Sequence, residues 1–189
     1  MCSSDLIQKD ILYTFSIKSH QRKSTQSAIS IIFREISLML SPVISFTAEE
    51  AWKHFNNNKS SIFEESLLDK LFKDDDIENK WDKLMEFRSI FLKDIERKRA
   101  DKIIGSSLEA KIIISSTIQE KEFLLDNLVN LQKVLMVAEL DISNDNVDEI
   151  HCEVFKTEAP KCLRCWNYSF DRGPDDKNIC LKCHEQLIL

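Results

Sequence analysis

Four of the six cysteines stand in two tight pairs near one end of the chain, in "KCLRCWNYSFDRGPDDKNICLKC" (residues 161–183). The spacing is Cys162-x2-Cys165-x14-Cys180-x2-Cys183. Two residues between cysteines let one tight turn aim both sulfurs at a single point. Two such turns close a tetrahedron around Zn2+ with Zn–S bonds of ~2.3 Å. The x14 separation is just short of the four-cysteine template of about 15–20. With all four positions filled by thiolate no coordination site is open to substrate, so the expected metal is structural. A tail this short cannot bury a core of its own, and metal binding would contribute ~10 kcal/mol or more to its folding. The competing reading is a redox dithiol, but one CxxC pair would suffice for that, placed at a helix start in a thioredoxin-like unit. His184, beside Cys183, is a substitute ligand of lower rank. Cys2 and Cys152 have no partner at metal-binding spacing and read as ordinary thiols.

Other features narrow the function. The N-terminus lacks the basic-then-apolar pattern of a secretory signal, and no apolar run reaches ~18 residues, so no membrane partner is expected. The expected compartment is the cytoplasm, where paired cysteines hold metal more often than they form disulfides. The chain has two glycines, Gly105 and Gly173. A dinucleotide fingerprint or a P-loop needs closely spaced glycines so that backbone amides approach phosphate, and neither fits here. Net charge is −6 but segregated. Residues 1–34 carry five Lys/Arg against two Asp, +3, and residues 64–82 carry eight acids against three Lys, −5. A local phosphate-binding face is therefore compatible with the acidic total, because local potential steers a polyanion.

The predicted fold class is mainly α. A helical bundle is followed by a small α/β unit and a C-terminal four-cysteine zinc knuckle, with parts at residues 1–104, 105–157 and 158–189. Ala28, Ile29, Ile32, Phe33, Ile36 and Leu40 recur at helical spacing and predict one buried stripe over 24–40. In "SFTAEEAW", Thr47 with Glu50 reads as a capping box. "HFNNNKSS" (54–61) and the acidic "KDDDIEN" (73–79) read as loops. A long helix follows to about Lys102, with Trp81, Leu84, Met85, Arg88, Phe91, Leu92 and Ile95 on one side. "SLEAKIIISS" alternates as a strand and "IQEKEFLLDNLVNLQ" is helical. "KVLMVAEL" and "EIHCEVFK" read as two more strands separated by the turn "DISNDNVD".

Arg164 lies inside the first knuckle and Trp166 follows it. A guanidinium for phosphate or a base edge, beside an indole for stacking, suits unpaired RNA. Equally, Trp166 could pack the knuckle onto the body with Arg164 merely solvated. The residues alone leave both open.

"KCLRCWNYS…ICLKC" resembles the C-terminal zinc peptide of bacterial isoleucyl-tRNA synthetases; a similar finger occurs in formamidopyrimidine-DNA glycosylases. "LSPVISFTAEEAW" (40–52) and "RADKIIGSSLEAKI" (99–112) resemble that synthetase family's anticodon-binding helical domain and its junction into a C-terminal α/β piece. The resemblance implies one structural Zn2+ on Cys162, Cys165, Cys180 and Cys183, and tRNA(Ile) as partner. It places Arg164 and Trp166 near the anticodon loop, with Lys182 where relatives often carry Arg. Arg97, Lys98 and Arg99, in the basic run 96–102, would touch phosphate, or else simply solvate a helix end.

The resemblance also implies that isoleucine is attached to tRNA(Ile) using ATP in a catalytic portion the chain does not contain. None of the four histidines sits in an HIGH-type tetrapeptide, and no KMSKS-type loop exists. On this reading the chain is about the C-terminal fifth of the ligase, begins inside the helical domain, carries no catalytic residue, and pairs with a catalytic portion in another chain or a missing part of its own. The alternative is a free-standing zinc-knuckle adaptor for nucleic acid or protein.

Overall fold

The structure is a computed structural model that describes residues 3–56, 60–69 and 73–188. Cys2 and residues 57–59 of the predicted polar loop lie outside it. The chain divides into two compact units, one of Ile17–Lys73 and one of Met1–Ser16 with Asp74–Leu189.

In the smaller unit, α2 (His20–Leu40) packs on α3 (Ser45–Phe55) and a single 3-10 turn, Ile62–Glu64. Ser19 caps α2 by accepting from the Arg22 amide at 3.5 Å. Ala48, Trp52 and Ile62 form the buried core, with Phe33 and Leu38 packed against it. The predicted capping box is not formed. The helix starts at Ser45 after Ile44, so Thr47 and Glu50 lie inside it, and the Ser45 hydroxyl instead donates back to the Ser41 carbonyl at 2.9 Å. The useful carboxylate is Glu49, which accepts from the Ser61 hydroxyl and the Ile62 amide, both at 2.9 Å. The Ile62 amide bond, above all, lowers its pKa.

The predicted α2 stripe is helical but mostly exposed: Phe33 packs against the core, while Ile29, Ile32, Ile36 and Leu40 are 43%, 56%, 46% and 42% exposed. Within this unit one short helix and one turn cannot cover the apolar surface of a 21-residue helix.

In the larger unit α1 spans Ser3–Thr14 and α4 spans Asp75–Ala100. The acidic segment 73–79, predicted as a loop, is mostly helix. Asp74 is the cap, its Oδ1 accepting from the Asp76 and Ile77 amides at 3.1 Å each. Asp75, Asp76 and Glu78 occupy the first turn, where carboxylates favour the positive end of the helix dipole. The other end closes with Lys102 at φ 59° and the Ile103 amide donating to the Lys98 carbonyl at 3.0 Å. That left-handed position suits glycine. Lys102→Gly is expected to raise stability by about 1 kcal/mol, measured as a higher urea midpoint at unchanged slope.

Leu84, Phe87, Phe91 and Ile95 bury one face of α4, while Trp81 and Met85, predicted on that face, stay 39% and 44% exposed. The face packs on a three-stranded sheet of order β2-β1-β3. β1 (Ala110–Ser116) alternates buried and half-buried side chains as predicted. It runs parallel to β2 (Glu139–Asn146) and antiparallel to β3 (His151–Lys156). The predicted single helix between β1 and β2 is two, α5 (Ile118–Asp126) and α6 (Leu128–Leu135), broken at Asn127.

The strand predicted over "KVLMVAEL" shifts. Its first half continues α6, which Met136 ends at φ 55°, and β2 runs on through the predicted acidic turn. Pairing with β1 decides this: the Lys111 ammonium meets Glu139 at 3.3 Å and Asp141 at 3.7 Å. That compensates carboxylates on a strand at the sheet edge. α7 (Leu181–Ile188) ends the described chain. No described helix is long and apolar enough to cross a membrane.

Candidate metal centre and nucleic-acid interface

Backbone hydrogen bonds fold the two cysteine pairs onto each other. The Cys162 amide donates to the Asn167 carbonyl at 2.8 Å, the Trp166 amide to the Cys162 carbonyl at 3.0 Å, and the Leu163 amide to the Asn178 carbonyl at 3.0 Å. Between the pairs, the Gly173 amide donates to the Ile179 carbonyl at 3.0 Å. A Cβ on Gly173 would lie 3.0 Å from the Asp176 carbonyl oxygen and 3.0 Å from the His184 Cβ, so the loop needs glycine there. Cys183 sits in the first turn of α7, just after Cys180.

The four thiols are buried, with their sulfurs all within 4.8 Å of one another, and could hold a metal ion. A tetrahedron with Zn–S bonds of ~2.3 Å spaces its sulfurs by about 3.8 Å. Cys165 Sγ and Cys180 Sγ lie 3.8 Å apart. The donor set therefore fits zinc in both chemistry and spacing.

The electrostatics point the same way. The hydrogen bond from Cys165 pulls the Cys180 thiol down to about 5, and the same bond, with burial, pushes Cys165 up. Burial and the Cys180 bond raise Cys183 to about 11. At Cys162 burial pushes up, but the amides of Cys165, Cys180 and Arg164 outweigh it and the thiol is lowered. One pocket cannot carry four buried negative charges unaided, and a bound divalent cation removes the conflict.

His184 stands outside the cluster, its Nε2 2.9 Å from Asp175 Oδ2. Cys152 is also separate. Its thiol lies 3.7 Å from Asp94 Oδ2, and burial with that carboxylate pushes it up to about 12, the protonated state of an inert core thiol.

Trp166 is 62% exposed and held in the left-handed region at φ 66°. The Lys161 ammonium lies 5.9 Å from its ring. Arg164 is half-buried and donates to the Cys183 carbonyl at 3.3 Å, so one of its nitrogens helps close the cysteine cluster. The Lys182 ammonium lies 4.9 Å from the Phe15 ring. Lys182 also lines a cleft of ≈ 280 Å³ with Cys165, Asn167, Asp171 and Glu185.

The other predicted cations gather elsewhere. Arg97, Lys98 and Arg99 form the last turn of α4. Arg97 pairs with Asp94 at 3.2 Å and Arg99 with Glu96 at 3.6 Å. Arg97 and Lys98 line a second cleft with Cys152 and Phe155.

Sequence reasoning missed the contribution of α1. Lys9 Nζ donates to the Cys165 carbonyl at 2.9 Å and to Asn167 Oδ1 at 3.4 Å, and pairs with Asp10 at 2.8 Å. The Asn167 side-chain amide donates to the other Asp10 oxygen. The Ser16 amide donates to Gln186 Oε1 at 3.0 Å. No local pattern announces contacts between residues this far apart in the chain.

Helices preceding a small α/β unit and a four-cysteine cluster define a class, and comparison with known proteins assigns it. The family model for the anticodon-binding domain of tRNA ligases matches residues 5–114, and the chain belongs to that family. More particularly, it is similar to a C-terminal part of isoleucine–tRNA ligases. It is 34% identical over 187 residues to that of Caldicellulosiruptor bescii, covering 95% of this chain and 20% of the relative. The corresponding figures are 33% over 198 residues (94% and 21%) for Blochmanniella floridana. For Staphylococcus epidermidis strain ATCC 12228 they are 33% over 189 residues (94% and 20%). The chain spans about a fifth of the length of these curated relatives.

Proposed function

We propose that the chain is the tRNA-binding portion of an isoleucine–tRNA ligase acting in the cytoplasm. It grips the anticodon stem and loop of tRNA(Ile) while a catalytic portion outside this chain joins isoleucine to the tRNA using ATP. Residues 1–104 form the helical anticodon-binding domain, 105–157 the α/β spacer and 158–189 the zinc finger. Cys162, Cys165, Cys180 and Cys183 hold one Zn2+, which supplies no reaction and fixes the loop that carries Arg164 and Trp166.

In this reading Trp166 stacks on an unpaired anticodon base, and Arg164 offers its remaining nitrogens to phosphate or a base edge. Lys182 and the Arg97–Lys98–Arg99 run contribute phosphate attraction that salt screens. The observation that carries the reading is the exposure of Trp166 in a strained backbone position beside a buried metal-ligand cluster, since such strain collects at working sites.

Trp166→Ala is expected to weaken binding of tRNA(Ile) by about 10–100-fold while metal content and circular dichroism stay unchanged. Filter binding at two salt concentrations, against a tRNA with an altered anticodon, checks this. Equal affinity of the wild-type chain for both tRNAs would overturn anticodon reading.

A further inference from the structure

A bulky aromatic residue at positive φ persists only if its surroundings over-determine it. Four thiolates on a metal fix Cys165, and the Trp166 amide, donating to the Cys162 carbonyl at 3.0 Å, holds one edge of the peptide that enters the indole, which leaves that peptide's carbonyl and the Asn167 side chain to be held. The structure assigns that task to α1. We propose that Lys9 and Asp10 are positioning residues for Trp166, acting as a latch across the back of the first knuckle.

The geometry is specific. The Cys165 carbonyl belongs to the peptide bond that enters Trp166, and it accepts from Lys9 Nζ at 2.9 Å. Asn167 leaves Trp166 on the other side. Its side-chain oxygen accepts from the same ammonium at 3.4 Å, and its amide nitrogen donates to Asp10. Its backbone carbonyl is already taken by the Cys162 amide. Lys9 and Asp10 face each other at 2.8 Å with side chains only 22% and 18% exposed, so water screens the pair weakly. The residues on either side of Trp166 are thus tied to one ion pair on a helix, and the indole between them remains 62% exposed.

The same segment reaches the knuckle a second time, through Ser16 on Gln186 and Phe15 under Lys182. The N-terminal segment with α1 and the metal loop are joined where the exposed aromatic emerges. The arrangement orients a side chain rather than holding a metal: neither Lys9 nor Asp10 is among the residues whose sulfurs converge.

This inference rests on the reading of Trp166 as the RNA-facing group, and the test separates the two. The full chain is labelled with 5-fluorotryptophan, and the Trp166 19F resonance is identified by its loss in Trp166→Phe. Lys9→Met is expected to keep one metal per chain and the wild-type circular dichroism. Its Trp166 resonance shifts and broadens, and tRNA(Ile) affinity falls about tenfold. Asp10→Asn moves both readouts the same way, and Lys9→Arg, which can donate to both acceptors, restores most of the wild-type values.

An unchanged resonance in Lys9→Met and Asp10→Asn overturns the latch, as does loss of the metal in both, which would make the pair merely structural. If Trp166→Ala leaves tRNA binding intact, the RNA reading fails, and the latch then stands or falls on the 19F resonance alone.

Discussion

Stripping the metal with a chelator, or replacing Cys180 by serine, is expected to unfold residues 158–188, to abolish tRNA binding, and to leave the sheet and α4 folded. The buried cluster of the knuckle consists of the four cysteines and Ile179 alone. That is far too little apolar surface to offset the entropy of ordering a loop of this length. On the proposed reading metal ligation, worth ~10 kcal/mol or more, supplies the stability that this cluster lacks. Serine supplies a poor ligand and leaves three thiols crowded at a cluster that has lost its charge balance.

Acid acts in the same direction. Each ligand binds metal as a thiolate, so protons compete as pH falls, and the metal leaves on acidification and is retained on the alkaline side. Hydrogen exchange read by mass spectrometry, with metal stoichiometry on the same samples, checks the result. Knuckle amides that stay protected after complete metal removal would contradict it.

Phe91→Ala is expected to destabilise the larger unit by about 3–5 kcal/mol. Phe91 is fully buried and stacks on Phe87 with centroids 6.2 Å apart. Its cluster joins α4 to Ile112, Ile114, Leu124 and Leu135. Truncation removes the ring from water-free packing and leaves a cavity that β1, paired on both edges, cannot collapse to fill. Against a total stability of about 5–15 kcal/mol this is a large fraction. Urea unfolding followed by circular dichroism should show a markedly lower midpoint. Metal content is expected to survive below that midpoint, because the cysteine cluster shares no buried residue with this core. A loss under 1 kcal/mol would mean that this core is not the one that holds the unit together.

Several structural features were legible because their cause is local. The x2 spacing of each cysteine pair brings two sulfurs to one point whatever surrounds them, and the structure gathers all four. The alternation of Ala110, Ile112 and Ile114 appears as a strand buried on one face. The periodicity of Leu84, Phe91 and Ile95 appears as the buried side of α4. Where local and long-range preferences competed, the long-range partner won. Residues 141–146 read as an acidic turn, yet pairing with β1 and the charge of Lys111 draw them into β2. Asp75 and Asp76 read as loop, yet at a helix start their charge meets the dipole they favour.

The sequence by itself determined the four-cysteine cluster, the strand over 110–116, the long helix before it and the aromatic that follows the first cysteine pair. Spacing over a few residues dictates each of them. Only the tertiary structure decided that the α2 stripe stays mostly exposed, that Trp166 takes a left-handed backbone, and that Lys9 and Asp10 reach the loop beside it. Burial and side-chain hydrogen bonds between residues as far apart as Lys9 and Cys165 depend on how the elements pack. That packing is a property of the whole chain and leaves no periodic trace in any one stretch of it.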